Sequence, residues 1–377
     1  MMKKSIIAIA LMGAMLMACT DNKQTIDKDM TQELNLTQEW DKVFPQSDKV
    51  DHKKVTFHNR YGITLVADMY TPLNPPEGGK YAAIAVSGPY GAVKEQVSGL
   101  YAQHMAERGF LTIAFDPSFT GESGGEPRSV SSPDINTEDF SAAVDFLSVQ
   151  ENVDPERIGI IGICGWGGMA VNAAAMDTRI KGTVAVTMYD MSRVMRGGYN
   201  DVNDNAEARR EMKKALNAQR TEDYRNGTYA SGGGNPEPET LTDDTPQFLR
   251  EYVDYYKTPR GYHKRSLGSN EGFNATVALS WINQPLLQMA REIDSPVLLV
   301  HGEKAHSRYF SEGAFEAMTG QKPAIPDALE SGKNWSKVVG NKELYIIPGA
   351  VHTALYDDRA DVIPYDKLEA FFRENLR

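Results

Sequence analysis

The run Arg157-Ile158-Gly159-Ile160-Ile161-Gly162-Ile163-Cys164-Gly165-Trp166-Gly167-Gly168-Met169-Ala170 constrains the fold more than any other part of the chain. A β-favouring stretch stops at a cysteine, and the glycines beyond it let a helix begin at once. A residue at such a strand-turn-helix corner sits in strained backbone, needs small neighbours, and holds its side chain out at the end of the strand. There the Gly165 N–H can donate to a developing oxyanion and the helix N-terminus favours a thiolate, which makes Cys164 a candidate nucleophile. The bland alternative is a buried structural cysteine, a common fate for a free thiol. It leaves unexplained why glycines crowd only one side of the residue. Trp166 is bulky for the second position after a nucleophile, so its indole must point away from the strand.

The rest of the chain supplies the context such a corner needs. Residues 54–57 and 63–67 read as a leading hairpin about a turn at 59–62. Apolar runs at 82–86, 110–115, 157–163, 180–188, 297–300 and 343–347 read as buried strands, with helical stretches at 95–108, 138–149 and 364–375 among and after them. Strands alternating with helices at this spacing predict an α/β fold, a doubly wound and mostly parallel sheet covered on both faces. Residues 191–295 contain no buried-strand run and read as a helical lid inserted in the sheet, with helices at 207–220, 247–256 and 277–291. The core is then 51–190 together with 296–377.

With these pieces in view, the chain resembles the α/β-hydrolase superfamily, in its dienelactone-hydrolase-like and peptidase-S15-like branches. The resemblance runs from about Val55 to the C-terminus. Besides the corner at Cys164 it rests on Ala114-Phe115-Asp116-Pro117 leading into Gly121-Glu122-Ser123-Gly124-Gly125, on Asn152-Val153-Asp154-Pro155-Glu156-Arg157-Ile158, and on Val300-His301-Gly302-Glu303. It implies a hydrolase working by acyl transfer. Cys164 attacks an ester, lactone or amide carbonyl of a small to medium substrate, and a histidine moves the proton.

Of the seven histidines, His352 occupies the family's position, after the last strand and before the closing helix. His306 is its competitor, and His301 reads as a satisfied core residue at a strand end. The second oxyanion donor is expected in the loop after residues 82–86. Pro89 has no N–H, so Tyr90 joins Gly165 in that role. The family's usual acid, three residues past the glycine that ends the penultimate strand, falls on Ala305 and is absent. Asp190, at the end of the preceding strand, is preferred in its place, and Glu303 is the alternative. Lid aromatics at Tyr252, Tyr255, Tyr256, Tyr262, Phe273 and Trp281 either roof the substrate or pack as the lid's own core. Transfer to an acceptor other than water, C–C cleavage, and a non-catalytic envelope binding protein are the other readings.

A net charge of −11 with no basic block lacks the footprint of a nucleic-acid binder. No Cys/His cluster has metal-ligand spacing, and no glycine-rich loop is followed by Lys-Ser or Lys-Thr, so neither a metal nor another cofactor is expected. Lys3 and Lys4 precede an apolar stretch at 6–17 too short to span a bilayer, and Leu16-Met17-Ala18-Cys19 resembles a bacterial lipobox. Residues 1–18 then form a lipoprotein signal peptide. Cys19 carries the lipid that ties the protein to the cell envelope, and residues 19–50 form a flexible tether reaching about 30 Å. An ordinary secretory peptide cleaved near Ala18 is the alternative, and it exports the protein as well. Cys164 is then a free thiol in a compartment where disulfides persist.

Overall fold

The computed structural model describes Leu34 and residues 36–377, so the expectations for residues 1–18 and for Cys19 lie outside the described residues. The chain forms β1 (Val50–His58), β2 (Thr64–Pro72), β3 (Tyr81–Ser87), α1 (Val97–Glu107), β4 (Leu111–Phe115), α2 (Pro133–Ser148), β5 (Val153–Ile163), α3 (Gly165–Met176) and β6 (Gly182–Val186). The insertion follows with α4 (Met191–Gly197), α5 (Ala206–Asn226), α6 (Gln247–Tyr256), α7 (Leu267–Asn270) and α8 (Ala278–Ile282). The sheet resumes with β7 (Val297–Gly302), α9 (Arg308–Thr319), β8 (Trp335–Val339), β9 (Lys342–Ile347) and α10 (Tyr365–Asn375).

One nine-stranded sheet has the order β1-β2-β4-β3-β5-β6-β7-β9-β8. The six strands from β4 to β9 in that order are parallel, while the β1/β2, β2/β4 and β8/β9 pairs are antiparallel. Every residue of β3, β4, β6 and β7 is buried, as expected for strands covered by helices on both faces. The chain leaves β3 toward β4 on one side and returns to β5 on the other, which makes the carboxyl ends of β3 and β5 a topological switch point, where ligands bind in open α/β sheets. Ser87 pairs with Gly162, Ile163 with Val186, and Gly302 with Ile347, so the loops that follow these strands leave the sheet along one edge.

Three expectations need correction. Residues 37–49 are no tether but a strap docked on the core. Phe44 is buried, Trp40 Nε1 donates to the Phe44 carbonyl, the Val43 N–H donates to the Glu95 carbonyl, and Lys42 forms a buried ion pair with Asp68 at 3.0 Å. The expected helix at 277–291 stops after Ile282, because Pro285 has no N–H to continue the ladder and biases the residue before it away from helical backbone. The sheet also has β8, an edge strand whose half-exposed pattern carries no buried run, and α9 fills the gap before it. The insertion is otherwise helical as expected. Its α5 is almost wholly exposed, capped by the Asn205 side chain at one end and by left-handed Gly227 at the other.

Candidate active site

Cys164 lies between β5 and α3 with φ +56° and ψ −124°, a conformation that costs a side-chain-bearing residue about 1–3 kcal/mol. The turn holds because its backbone is fully tied. The Cys164 N–H donates to the Val186 carbonyl at 2.9 Å, and its own carbonyl accepts from the Gly167 and Tyr189 N–H groups at 2.9 and 2.8 Å. Glycine is required where α3 closes on the strand: a Cβ on Gly162 would stand 2.2 Å from the Trp166 carbonyl oxygen, and one on Gly167 would stand 2.4 Å from Met188 Cβ. The indole of Trp166 is buried with its ring centre 5.7 Å from that of Tyr90, so its bulk is absorbed without disturbing the corner.

The Tyr90 and Gly165 amides and the Tyr356 hydroxyl face the sulfur. Burial nevertheless pushes the Cys164 thiol up against their pull, so the sulfur rests as S–H at neutral pH. The loop carrying Tyr90 is fixed from behind. Asp116 accepts from the Lys94 N–H at 2.8 Å, and the fully buried Lys94 ammonium contacts Glu95, Asp116 and Glu122 at 2.7, 2.8 and 2.6 Å. Arg265 of the insertion reaches Glu95 at 2.7 Å and Asp41 of the strap at 2.7 Å. Strap, the loop after β3 and the insertion therefore share one ionic network.

His352 is fully buried in the loop after β9. Its Nδ1 lies 2.6 Å from Ser307 Oγ and 2.9 Å from Thr187 Oγ1, and its Nε2 lies 2.9 Å from the Tyr356 hydroxyl. Neither expected carboxylate reaches it. Asp190 caps α4, accepting from the Arg193 N–H and the Ser192 hydroxyl, while Glu303 turns to the Gly349 N–H and Lys304, with the Gly349 amide holding its carboxyl below the usual range. Hydroxyls stand where an acid was expected. Behind them His301 Nε2 lies 2.9 Å from Ser307 Oγ, and His301 Nδ1 lies 2.6 Å from Ser311 Oγ.

Two donor orders, one the reverse of the other, satisfy these atoms, and the one that suits a base runs from His352 Nδ1–H to Ser307, from the Ser307 hydroxyl to His301 Nε2, and from His301 Nδ1–H to Ser311. It leaves His352 Nε2 as an acceptor, the state a general base needs. Thr187 adopts φ +44°, unusual for a β-branched residue, and so presents its hydroxyl to the same imidazole. Burial drives His301 down to about 3, His306 down to about 4, and His352 well below the ordinary histidine value. All three rings are neutral at neutral pH. His306, the expected competitor, bonds the Tyr189 hydroxyl with its ring centre 5.3 Å from that of His352.

A cavity of about 260 Å³ opens on Cys164. Tyr90, Tyr189, Tyr199, Tyr252, Tyr256 and Tyr356 line it with Asn235, Met191, Val194 and Met195, and no acidic or basic described side chain is among them. Of the lid aromatics, Tyr252 and Tyr256 face the cavity. Tyr255 and Trp281 are core, Phe273 stacks on Tyr90 with ring centres 4.2 Å apart, and Tyr262 is exposed. Sequence reasoning missed Tyr356, Ser307 and Thr187. Tyr356 had a signal, since it follows His352 by four residues in a tight turn.

Comparison with known proteins bears on the fold and the family. The chain is 54% identical to the uncharacterized protein PA2218 of Pseudomonas aeruginosa over 95% of its own length and 90% of that protein's. The crystal structure of PA2218 superposes with a TM-score of 0.81 at 55% identity, covering 92% of this chain and all of that one. The α/β hydrolase GrgF from Penicillium shares the fold at 18% identity, with a TM-score of 0.62 over 86% of this chain and 99% of that one. A stretch of 104 residues is 36% identical to the thiohydrolase aneE of Aspergillus aculeatus, covering 28% of this chain and 33% of that protein. Residues 61–325 match the X-Pro dipeptidyl-peptidase family, whose members normally use serine as nucleophile. With the α/β-hydrolase sheet and this match across most of its length, the chain belongs to the S15 family of α/β-hydrolase enzymes.

Proposed function

We propose that this enzyme hydrolyses small uncharged acyl compounds (esters, lactones, amides or thioesters) through Cys164. The observation that carries the reading is the left-handed Cys164 corner, with the Tyr90 and Gly165 amides facing the sulfur. The sulfur attacks the carbonyl carbon, the carbonyl electrons move onto an oxygen held by those two amides, and His352 receives the thiol proton. The uncharged cavity argues against the family's named activity. A dipeptidyl-peptidase must bind a free N-terminal ammonium, and an ammonium buried without an acidic partner is strongly disfavoured. The thiohydrolase relative favours including thioesters among the substrates. The lipobox-like residues ending at Cys19 support an enzyme lipid-anchored to the bacterial envelope.

The test compares the full wild-type chain with Cys164→Ala on p-nitrophenyl acetate, on S-acetyl-N-acetylcysteamine and on Gly-Pro-p-nitroanilide. Turnover of the neutral ester and thioester by the wild type alone is expected, with the dipeptide anilide untouched. Equal rates in the two proteins would eliminate Cys164 as nucleophile, and preference for the anilide would overturn the substrate class. Product analysis with an added alcohol separates hydrolysis from acyl transfer.

A further inference from the structure

Between the proposed nucleophile and the proposed base stands a side chain that neither role accounts for. Tyr356 ends the tight turn His352–Leu355, and its fully buried ring sits among Tyr255, Tyr256 and His352 at centroid distances of 5.1, 6.1 and 5.3 Å. The turn is pinned by Tyr101, whose hydroxyl donates to the Leu355 carbonyl at 2.9 Å. The Tyr356 hydroxyl lies 2.9 Å from His352 Nε2, the ring nitrogen that is an acceptor when Nδ1–H donates to Ser307, and it faces the Cys164 sulfur across the cavity wall. His352 Nε2 thus meets an oxygen, not the sulfur.

Resting on the cysteine-hydrolase reading, we propose that Tyr356 is a catalytic residue that relays the proton from the Cys164 thiol to His352. A phenol has one proton to give and lone pairs to receive another, so it can pass a proton without holding a charge. As the sulfur bonds to the carbonyl carbon, the S–H proton moves to the Tyr356 oxygen and the Tyr356 proton moves to His352 Nε2. The carbonyl π electrons become the oxyanion at the Tyr90 and Gly165 amides. When the carbonyl re-forms, the bond to the leaving group breaks and that group takes the proton back along the same path. Water then repeats the sequence on the acyl-enzyme, releasing the acid and restoring S–H. Burial holds the Tyr356 phenol well above its ordinary value, so the two transfers are concerted and no free phenolate forms.

The test is Tyr356→Phe in the full chain, which removes one oxygen and keeps the ring, assayed with p-nitrophenyl acetate. The relay predicts a fall in kcat of about a hundredfold or more with little change in KM. Tyr255→Phe, which deletes an equally buried hydroxyl off the path, should keep the wild-type rate, and thermal melts of both variants confirm folding. In mixtures of H2O and D2O the wild-type kcat should curve downward, as two moving protons require. Wild-type activity in Tyr356→Phe, with Cys164→Ala inactive, would overturn the relay and leave the cysteine hydrolase standing. A linear isotope response would also overturn it, showing that a single proton moves in the step that limits kcat. Full activity in Cys164→Ala would instead remove the underlying reading.

Discussion

The orientation of His352 by hydroxyls makes a prediction that a carboxylate triad would not. Ser307→Ala removes the closer partner of Nδ1, but Thr187 Oγ1 remains 2.9 Å away and can still accept the N–H. One neutral hydrogen bond is worth about 1 kcal/mol, so kcat should fall only about fivefold. Thr187→Val alone leaves the 2.6 Å Ser307 contact in place and should have a similar effect. In the double variant Nδ1 loses both partners, and a buried N–H without an acceptor costs about 1–3 kcal/mol. The imidazole then escapes that cost by moving its proton to Nε2, where it donates to Tyr356 and no longer serves as a base. The combined loss in kcat should therefore reach about 10²- to 10⁴-fold, far beyond the product of the single effects, with KM nearly constant. The assay is steady-state hydrolysis of p-nitrophenyl acetate by the four proteins, with unfolding midpoints to correct for stability. A double variant that loses no more than the product of the two single effects would refute the argument.

The remaining expectations are simpler. Asp190→Asn and Glu303→Gln should each retain kcat within about twofold, with the stability of Asp190→Asn nearly unchanged because an asparagine oxygen can accept the same Arg193 N–H at the start of α4; collapse of turnover in either would restore a carboxylate to the mechanism. Because burial raises the Cys164 thiol, its alkylation by iodoacetamide should be slow at pH 7 and accelerate only in alkaline solution; a fast reaction at pH 6 would show a resting thiolate. His301 and His306 remain neutral when folded, down to about 3 and 4, whereas in the unfolded chain they take up protons below about 6.5. The unfolded state then binds the extra protons, so stability falls as pH drops from about 6.5 toward 4, by up to about 1.4 kcal/mol per pH unit for each ring. Urea midpoints that match at pH 7 and pH 5 would contradict this. Cys19→Ala should release the protein from the membrane fraction with activity intact, and retention there would count against lipidation.

Much of the sheet was legible because parallel strands buried on both faces write themselves as unbroken apolar runs, as in Ala82-Ala83-Ile84-Ala85-Val86. β8 wrote nothing comparable. As an edge strand it exposes alternate residues, and Trp335-Ser336-Lys337-Val338-Val339 has the look of a loop. α9 was readable and overlooked: Phe310, Ala314, Phe315 and Met318 recur at helical spacing, and Gly320 closes the helix in left-handed backbone. The strap escaped notice for a different reason. Its anchors are Lys42 on Asp68 and Asp41 on Arg265, ion pairs between residues far apart in sequence, and no local pattern announces such partners.

The same contrast divides the site. Cys164, Gly165, Tyr90 and His352 were candidates because the resemblance to the α/β-hydrolase superfamily points to a corner after one strand, a loop after its neighbour and a loop after the last strand, and the sheet topology brings those three places to one edge. The partner of His352 does not follow from position. The usual acid would stand at Ala305 and the sequence offers Asp190 and Glu303 as other charges, whereas the fold uses the uncharged chain of Ser307, His301 and Ser311. Desolvation explains why this solution is compatible with the pocket. In a cavity walled by six tyrosines an ionised carboxylate would need donors of its own to offset the loss of water, while hydroxyls bring donor and acceptor together and remain neutral. In the proposed mechanism the cost falls on the imidazolium formed during turnover, which among the described residues has no fixed negative charge in hydrogen-bond contact and is offset only by the oxyanion created in the same step. Charge separation is thus confined to the reacting state, and in the resting enzyme thiol, phenol and imidazole are all neutral.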